Sequence, residues 1–94
     1  MPDLVLTRVT STSASERDRR RGLIAYLELE VNGLRLDGVT LRRSTAGHVY
    51  LSYPARRDAQ GREHRYFDLL DADARRELES QVFAQLDLES GGAA

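Results

Sequence analysis

Leu23-Ile24-Ala25-Tyr26-Leu27-Glu28-Leu29-Glu30-Val31-Asn32-Gly33-Leu34-Arg35-Leu36 decides the fold class of this 94-residue chain. Leu23, Ala25, Leu27, Leu29 and Val31 alternate with Ile24, Tyr26, Glu28 and Glu30, the period of two that buries one face of a strand. Asn32-Gly33 follows at once and tolerates the two positive φ angles of a type I′ turn. A tight hairpin is predicted, with Val31 opposite Leu34, Glu30 opposite Arg35 and Leu29 opposite Leu36. Beyond Leu36 the apolar positions change phase, from even to odd at Val39 and Leu41. One extra residue at Asp37-Gly38, a β-bulge, restores Leu27 opposite Val39 and Ala25 opposite Leu41.

Outward from this hairpin, Leu4–Val9 reads as a preceding strand. The hydroxyl-rich run Thr10–Ser15 and the apolar-free run Glu16–Gly22 read as a mobile loop. On the other side, His48–Tyr53 alternates again until Pro54 ends it, a strand antiparallel to the segment ending at Arg43. Asp58-Ala59-Gln60-Gly61 supplies turn residues and Arg65-Tyr66-Phe67 a short return strand, which leaves Ala55–His64 as a projecting arm. Asp71 is placed to cap a helix running from about Ala72 to Leu86, with Ala74, Leu78, Val82 and Leu86 on one stripe and Phe83 beside it. The expected fold is α+β: an antiparallel sheet of about five strands with one C-terminal helix, in a single domain over 1–88, followed by a fraying tail over 89–94.

The composition excludes several classes. At 40 % hydrophobic and 31 % charged, with a mean hydropathy of −0.51, the chain is expected to be globular and soluble rather than disordered or membrane-embedded. The start Met1-Pro2-Asp3-Leu4 lacks the basic and apolar segments of a signal peptide, so a cytoplasmic location is expected. No cysteine is present, which removes disulfides, thiolate metal sites and cysteine nucleophiles. His48 and His64 fall on different predicted strands and meet no carboxylate at metal-ligand spacing, and Gly22, Gly33, Gly38, Gly47 and Gly61 stand singly at turns, so no phosphate-cradling G-x-x-x-x-G-K-[ST] loop exists. The chain is therefore read as non-enzymatic, with no catalytic residues, no metal, no cofactor and no small-molecule substrate.

Charge is the remaining signal. Every one of the 14 basic residues is arginine. That bias has two sources, a GC-rich genome or selection for a planar fork that grips phosphate bidentately. Residues 1–66 carry a net +4 and 67–94 a net −5, within the overall −1. A pI near 6.1 means that polyanion binding has to rest on a local patch. Arg56, Arg57, Arg62 and Arg65 crowd onto the projecting arm, and a two-stranded ribbon of that kind enters a major groove. Arg42 and Arg43 close the central hairpin as flanking contacts, while Arg17, Arg19, Arg20 and Arg21 form a second cluster in the predicted loop.

Arg21–Leu29, the strand after the Asn-Gly turn, and above all Leu51-Ser52-Tyr53-Pro54-Ala55-Arg56-Arg57-Asp58-Ala59-Gln60-Gly61 resemble the stage V sporulation protein G family of bacterial septation regulators. That family shows a strand ending in proline, a small residue, two basic residues and a short turn closing on glycine, which fall on Pro54, Ala55, Arg56, Arg57 and Gly61. The resemblance covers roughly residues 3–86. It departs at Asp37-Gly38 and Asp68-Leu69, where the family has His-Asp and His-Pro, and in a longer N-terminal loop. It implies a β-rich fold with a C-terminal helix, a homodimer joined through sheet edges, and DNA and RNA binding tied to regulation without enzymatic activity. The expected function is accordingly that of a nucleic-acid-binding regulatory protein. The competing expectation is a protein-interaction module of a cell-division or regulatory assembly, in which the arginines serve solubility.

Overall fold

A computed structural model describes residues 4–86. The expected tail over 89–94 and the domain end at 88 lie outside the described residues. Within them, the chain forms β1 (Leu6–Ser13), α1 (Glu16–Arg20), β2 (Leu23–Val31), β3 (Leu34–Arg43), β4 (Val49–Ser52), β5 (Ala55–Arg57), β6 (Glu63–Arg65) and α2 (Ala72–Gln85). The class is α+β. Strands β1-β2-β3-β4 make one antiparallel sheet in chain order, and β5-β6 make a separate two-stranded ribbon. There are thus six strands in two sheets where about five were expected.

From the turn as far as Ala25–Leu41 the central hairpin has the register its sequence dictates, and a second shift lies beyond it between Ala25 and Leu23. Val31 pairs with Leu34, Glu30 with Arg35, Leu29 with Leu36, Leu27 with Val39 and Ala25 with Leu41. Asn32 and Gly33 take φ of 49° and 80°, as a turn matching the right-handed strand twist requires. The register shift falls between Leu27 and Leu29 of β2, opposite Asp37-Gly38, and Gly38 adopts φ +83°. β3 then meets β4 with Arg43 opposite Val49 and Thr40 opposite Ser52.

Three expectations need correction. The hydroxyl run is strand, because Thr10, Ser11, Thr12 and Ser13 pair with Glu28, Leu27, Tyr26 and Ala25, while their side chains stay exposed. The ladder of β2 supplies backbone partners that override a turn-like composition. Glu16–Arg20 is helical: the Ser15 hydroxyl accepts from the Asp18 amide at 3.2 Å, and Arg20 pairs with Glu16 at 2.7 Å. The spacing Ser15-x-x-Asp18 carried that capping signal. The return strand of the arm is also Glu63–Arg65 rather than Arg65–Phe67, since the turn closes sooner, with Asp58 N donating to Arg62 O.

Helix α2 begins as predicted, with Asp71 Oδ1 accepting from Ala74 N at 2.8 Å, and ends at Gln85 with Leu86 as its cap. Leu78, Val82 and Phe83 are buried against the odd-numbered face of β2 together with Val39, Leu41, Val49 and Leu51, and Ala74 is buried nearer the start of the helix. Polar side chains of the same helix close the outer strands of the sheet. Gln81 accepts from Leu6 N and donates to Leu4 O, both at 2.8 Å, and Gln85 donates to Leu6 O at 3.0 Å. At the opposite edge Glu79 Oε2 accepts from Leu51 N at 3.1 Å. Backbone groups left open at sheet edges thus find partners on the helix. No helix among the described residues is long and apolar enough to cross a membrane.

Two substitutions separate the contributions of packing and edge closure. Leu78→Ala empties a fully buried position and is expected to cost about 2–5 kcal/mol in urea unfolding. Gln81→Ala is expected to cost about 1–3 kcal/mol by orphaning the groups at Leu6 and Leu4. A Gln81→Ala protein as stable as the parent would show that water replaces the amide.

Candidate nucleic-acid interface

The arm is a two-stranded ribbon with Ala55 opposite Arg65, Arg56 opposite His64 and Arg57 opposite Glu63. Strand alternation splits its arginines, placing Arg56, Arg62 and His64 on one face with Asp58, and Arg57 and Arg65 on the other with Glu63. Asp58 organises the tip. Its Oδ1 accepts from the amides of Gln60 and Arg62, both at 2.9 Å, and its Oδ2 accepts from Arg62 Nε at 3.0 Å and lies 2.7 Å from His64 Nε2. These contacts, the one with His64 foremost, hold the Asp58 carboxyl below its ordinary pKa.

The remaining arm arginines differ in how they are held. Arg57 donates to the Gly61 carbonyl at 2.9 Å. Arg65 meets Asp68 at 3.2 Å and Glu63 at 3.8 Å, and Arg75 of α2 reaches the same Asp68 oxygen at 3.1 Å. Asp68 is held below its ordinary pKa, first by the Leu69 amide and then by Arg75 and Arg65. Arg56 is exposed and has no ion-pair or hydrogen-bond partner among the described residues. Three of the four arm guanidiniums therefore shape the arm, and Arg56 alone is uncommitted. Solvent-exposed pairs such as Arg62–Asp58 are worth little in water and exchange readily for another anion.

Arg42 and Arg43 do not join the arm. They pair with Tyr50 and Val49 at the start of β4, whereas β5 follows its end. They meet the other arginine cluster instead. Leu23 pairs with Arg42, and Arg43 N donates to Gly22 O at 2.7 Å, directly after Arg21. One corner of the sheet thus gathers Arg17, Arg19, Arg20 and Arg21 around α1 with Arg42 and Arg43 of β3. Glu16 and Asp18 are the acids of that helix; Glu16 holds Arg20, and Asp18 accepts from Tyr26 at 3.5 Å. Arg17, Arg19, Arg21, Arg42 and Arg43 have no ion-pair partner among the described residues. A register shift between Ala25 and Leu23, which the sequence pattern did not signal, sets Arg42 rather than Arg43 opposite Leu23.

The joint at this corner is tight. Gly22 has φ +97°, and a Cβ there would lie 2.6 Å from the Arg43 carbonyl oxygen. His48 is exposed beside the Ser44–Gly47 turn, its amide bonded to Ser44 Oγ at 3.1 Å. No group of three or more His, Asp or Glu able to hold a metal ion occurs among the described residues. Set against models of known families, curated proteins and solved structures, the chain matches none.

Both basic regions are open to measurement. Asp58→Ala is expected to speed hydrogen exchange at the Gln60 and Arg62 amides and to leave the global unfolding midpoint unchanged, because the arm tip stands apart from the core. Since the folded Asp58 titrates below the ordinary 3.8, its contacts are complete above that pH and are lost as pH falls further. Followed into acid, the Arg62 amide shift should accordingly move with a midpoint below that value. Gly22→Ala is expected to cost about 1–3 kcal/mol through positive-φ strain and the Arg43 clash. An unchanged urea midpoint would show that α1 and β3 are not joined there.

Proposed function

We propose that this chain is a divergent relative of the stage V sporulation protein G family, a cytoplasmic, non-enzymatic regulator that binds DNA or RNA as a homodimer. The observation that carries the reading is the basic corner, where six arginines from two distant segments come together at one end of the central strands β2 and β3 and five of them have no ion-pair partner among the described residues. Guanidiniums already neutralised by carboxylates gain little from phosphate, whereas uncommitted ones release condensed counterions when they meet it. The corner docks the backbone, and the arm extends from the far end of β4 with Arg56 leading on one face and Arg57 on the other. Arg62 and Arg65 hold that arm in shape and exchange their carboxylate partners for phosphate on contact.

A second surface favours assembly. An apolar groove of about 380 Å³ runs between the β2–β3 turn and the start of α2, lined by Leu4, Leu34, Leu36, Phe67, Leu69 and Leu70 among others. Leu70 is 97 % exposed and Leu34 63 %. Apolar surface concentrated in this way supports self-association in the present reading. It also favours the alternative of a protein-interaction module, in which a different protein occupies the groove.

Salt dependence tests the proposal. The logarithm of duplex affinity is expected to fall linearly with the logarithm of salt, at roughly −0.9 per phosphate neutralised. The triple variant Arg19→Ala, Arg42→Ala, Arg43→Ala should flatten that slope by roughly 3, and Arg56→Ala by roughly 1. A flat slope for the parent, or equal affinity after all four substitutions, would sink the nucleic-acid reading. A parent that also sediments as a dimer or a mixed complex only while Leu34 and Leu70 are intact would then support the interaction module.

A further inference from the structure

At the root of the arm a cavity of about 300 Å³ opens between β4, β6 and α2, lined by Tyr50, Ser52, Tyr53, Arg65, Arg75 and Glu79 together with Leu51. Two polar atoms of its lining residues are orphaned. The Tyr53 hydroxyl and Arg75 Nε are shut off from solvent and have no hydrogen-bond partner. Tyr53 is 9 % exposed, its ring set edge-on to Phe67 at 6.0 Å. Burial, reinforced by the nearby Glu79 carboxylate, pushes the phenol up to about 12, so it keeps its proton at physiological pH and stands as a donor. Buried donors without acceptors are costly, and each is a standing demand for a ligand atom.

Charge narrows the class of ligand. Arg65 and Arg75 both contact Asp68, and Glu79 spends only Oε2, on Leu51 N, leaving Oε1 available. The two cations are already met by Asp68 and Glu63, so an added anion would meet the open oxygen of Glu79. A neutral planar group with two adjacent acceptors and a neighbouring donor suits the site better. Arg75 and Glu79 stand four residues apart on α2, which places them side by side on one helix face. A guanine edge has that order: N7 and O6 accept, and N1–H, next to O6, donates.

We propose that this cavity receives one unpaired guanine of a single-stranded nucleic acid, with Tyr53 donating to N7, Arg75 Nε to O6, and Glu79 Oε1 accepting from N1–H. A rotamer change of Arg65 or Arg75, the long side chains of the wall, admits the base to the two covered donors. Tyr50, 40 % exposed, supplies an aromatic ring in the lining, and unstacked bases are read at both edges in this way. The inference rests on the nucleic-acid reading and adds base selectivity to it.

Fluorescence anisotropy at low salt, on short oligothymidines carrying one central guanine, adenine or 7-deazaguanine, tests the site. Guanine is expected to bind on the order of tenfold more tightly than adenine, with 7-deazaguanine, which lacks N7, falling most of the way back. Tyr53→Phe should erase the difference between guanine and 7-deazaguanine while preserving affinity for the adenine strand, which also shows that the variant folds. In the parent protein, the Arg75 Nε–H resonance should shift with the guanine strand and not with the adenine strand. Equal affinity for all three strands would overturn the guanine site and leave the nucleic-acid reading standing. No binding of any strand at low salt would overturn both.

Discussion

The pairing of β2 with β3 depends on a single extra residue. Without the bulge at Asp37-Gly38, the apolar residues of β3 beyond Leu36 would face the wrong side of the sheet, and Val39 and Leu41 would leave the core. Asp37 Oδ1 accepts from Gly38 N at 2.9 Å, and a Cβ on Gly38 would sit 3.3 Å from that of Pro54, the residue that leads into the arm. The bulge therefore does more than restore phase. It sets where Arg42 and Arg43 emerge at one end of the sheet and gives the backbone room beside the arm at the other.

On that register the helix completes the molecule by two kinds of contact. Leu78, Val82 and Phe83 bury apolar area on the sheet, and Gln81, Gln85 and Glu79 satisfy backbone groups at its two outer strands. The second contribution makes α2 specific to this sheet, because amide and carboxylate side chains bond only where open N–H and C=O groups lie within reach. It also places Glu79 and Arg75 at the β4 edge, where they help to line the cavity at the root of the arm. At the β4 edge, closure and site construction share one side chain, Glu79.

The arginines divide by what surrounds them rather than by where they fall in the chain. Within the arm, a carboxylate lies close enough to engage Arg62 and Arg65, and those side chains order the ribbon. At the corner, the acids of α1 are two against six arginines, so most of that charge remains available to an outside anion. The arm that dominates a linear reading is thus the more internally compensated of the two regions. The corner, which joins the Arg17–Arg21 cluster to the distant Arg42 and Arg43, is the less compensated.

The amino-acid order by itself determined the central hairpin from its turn as far as Ala25–Leu41, the bulge, the strand after it, the N-cap at Asp71 and the buried stripe of α2, because turn chemistry, periodicity and capping act between near neighbours. Ser15-x-x-Asp18 was legible in the same way. Tertiary structure alone decided that Thr10–Ser13 would be strand, since only a partner ladder makes a hydroxyl-rich segment extend. It also decided which guanidiniums are compensated, that Arg17–Arg21 meet Arg42–Arg43, and that the Tyr53 hydroxyl and Arg75 Nε are left without hydrogen-bond partners. Those outcomes depend on distances between residues far apart in the chain, and Coulombic and hydrogen-bonding energies respond to distance in space, not to separation in sequence.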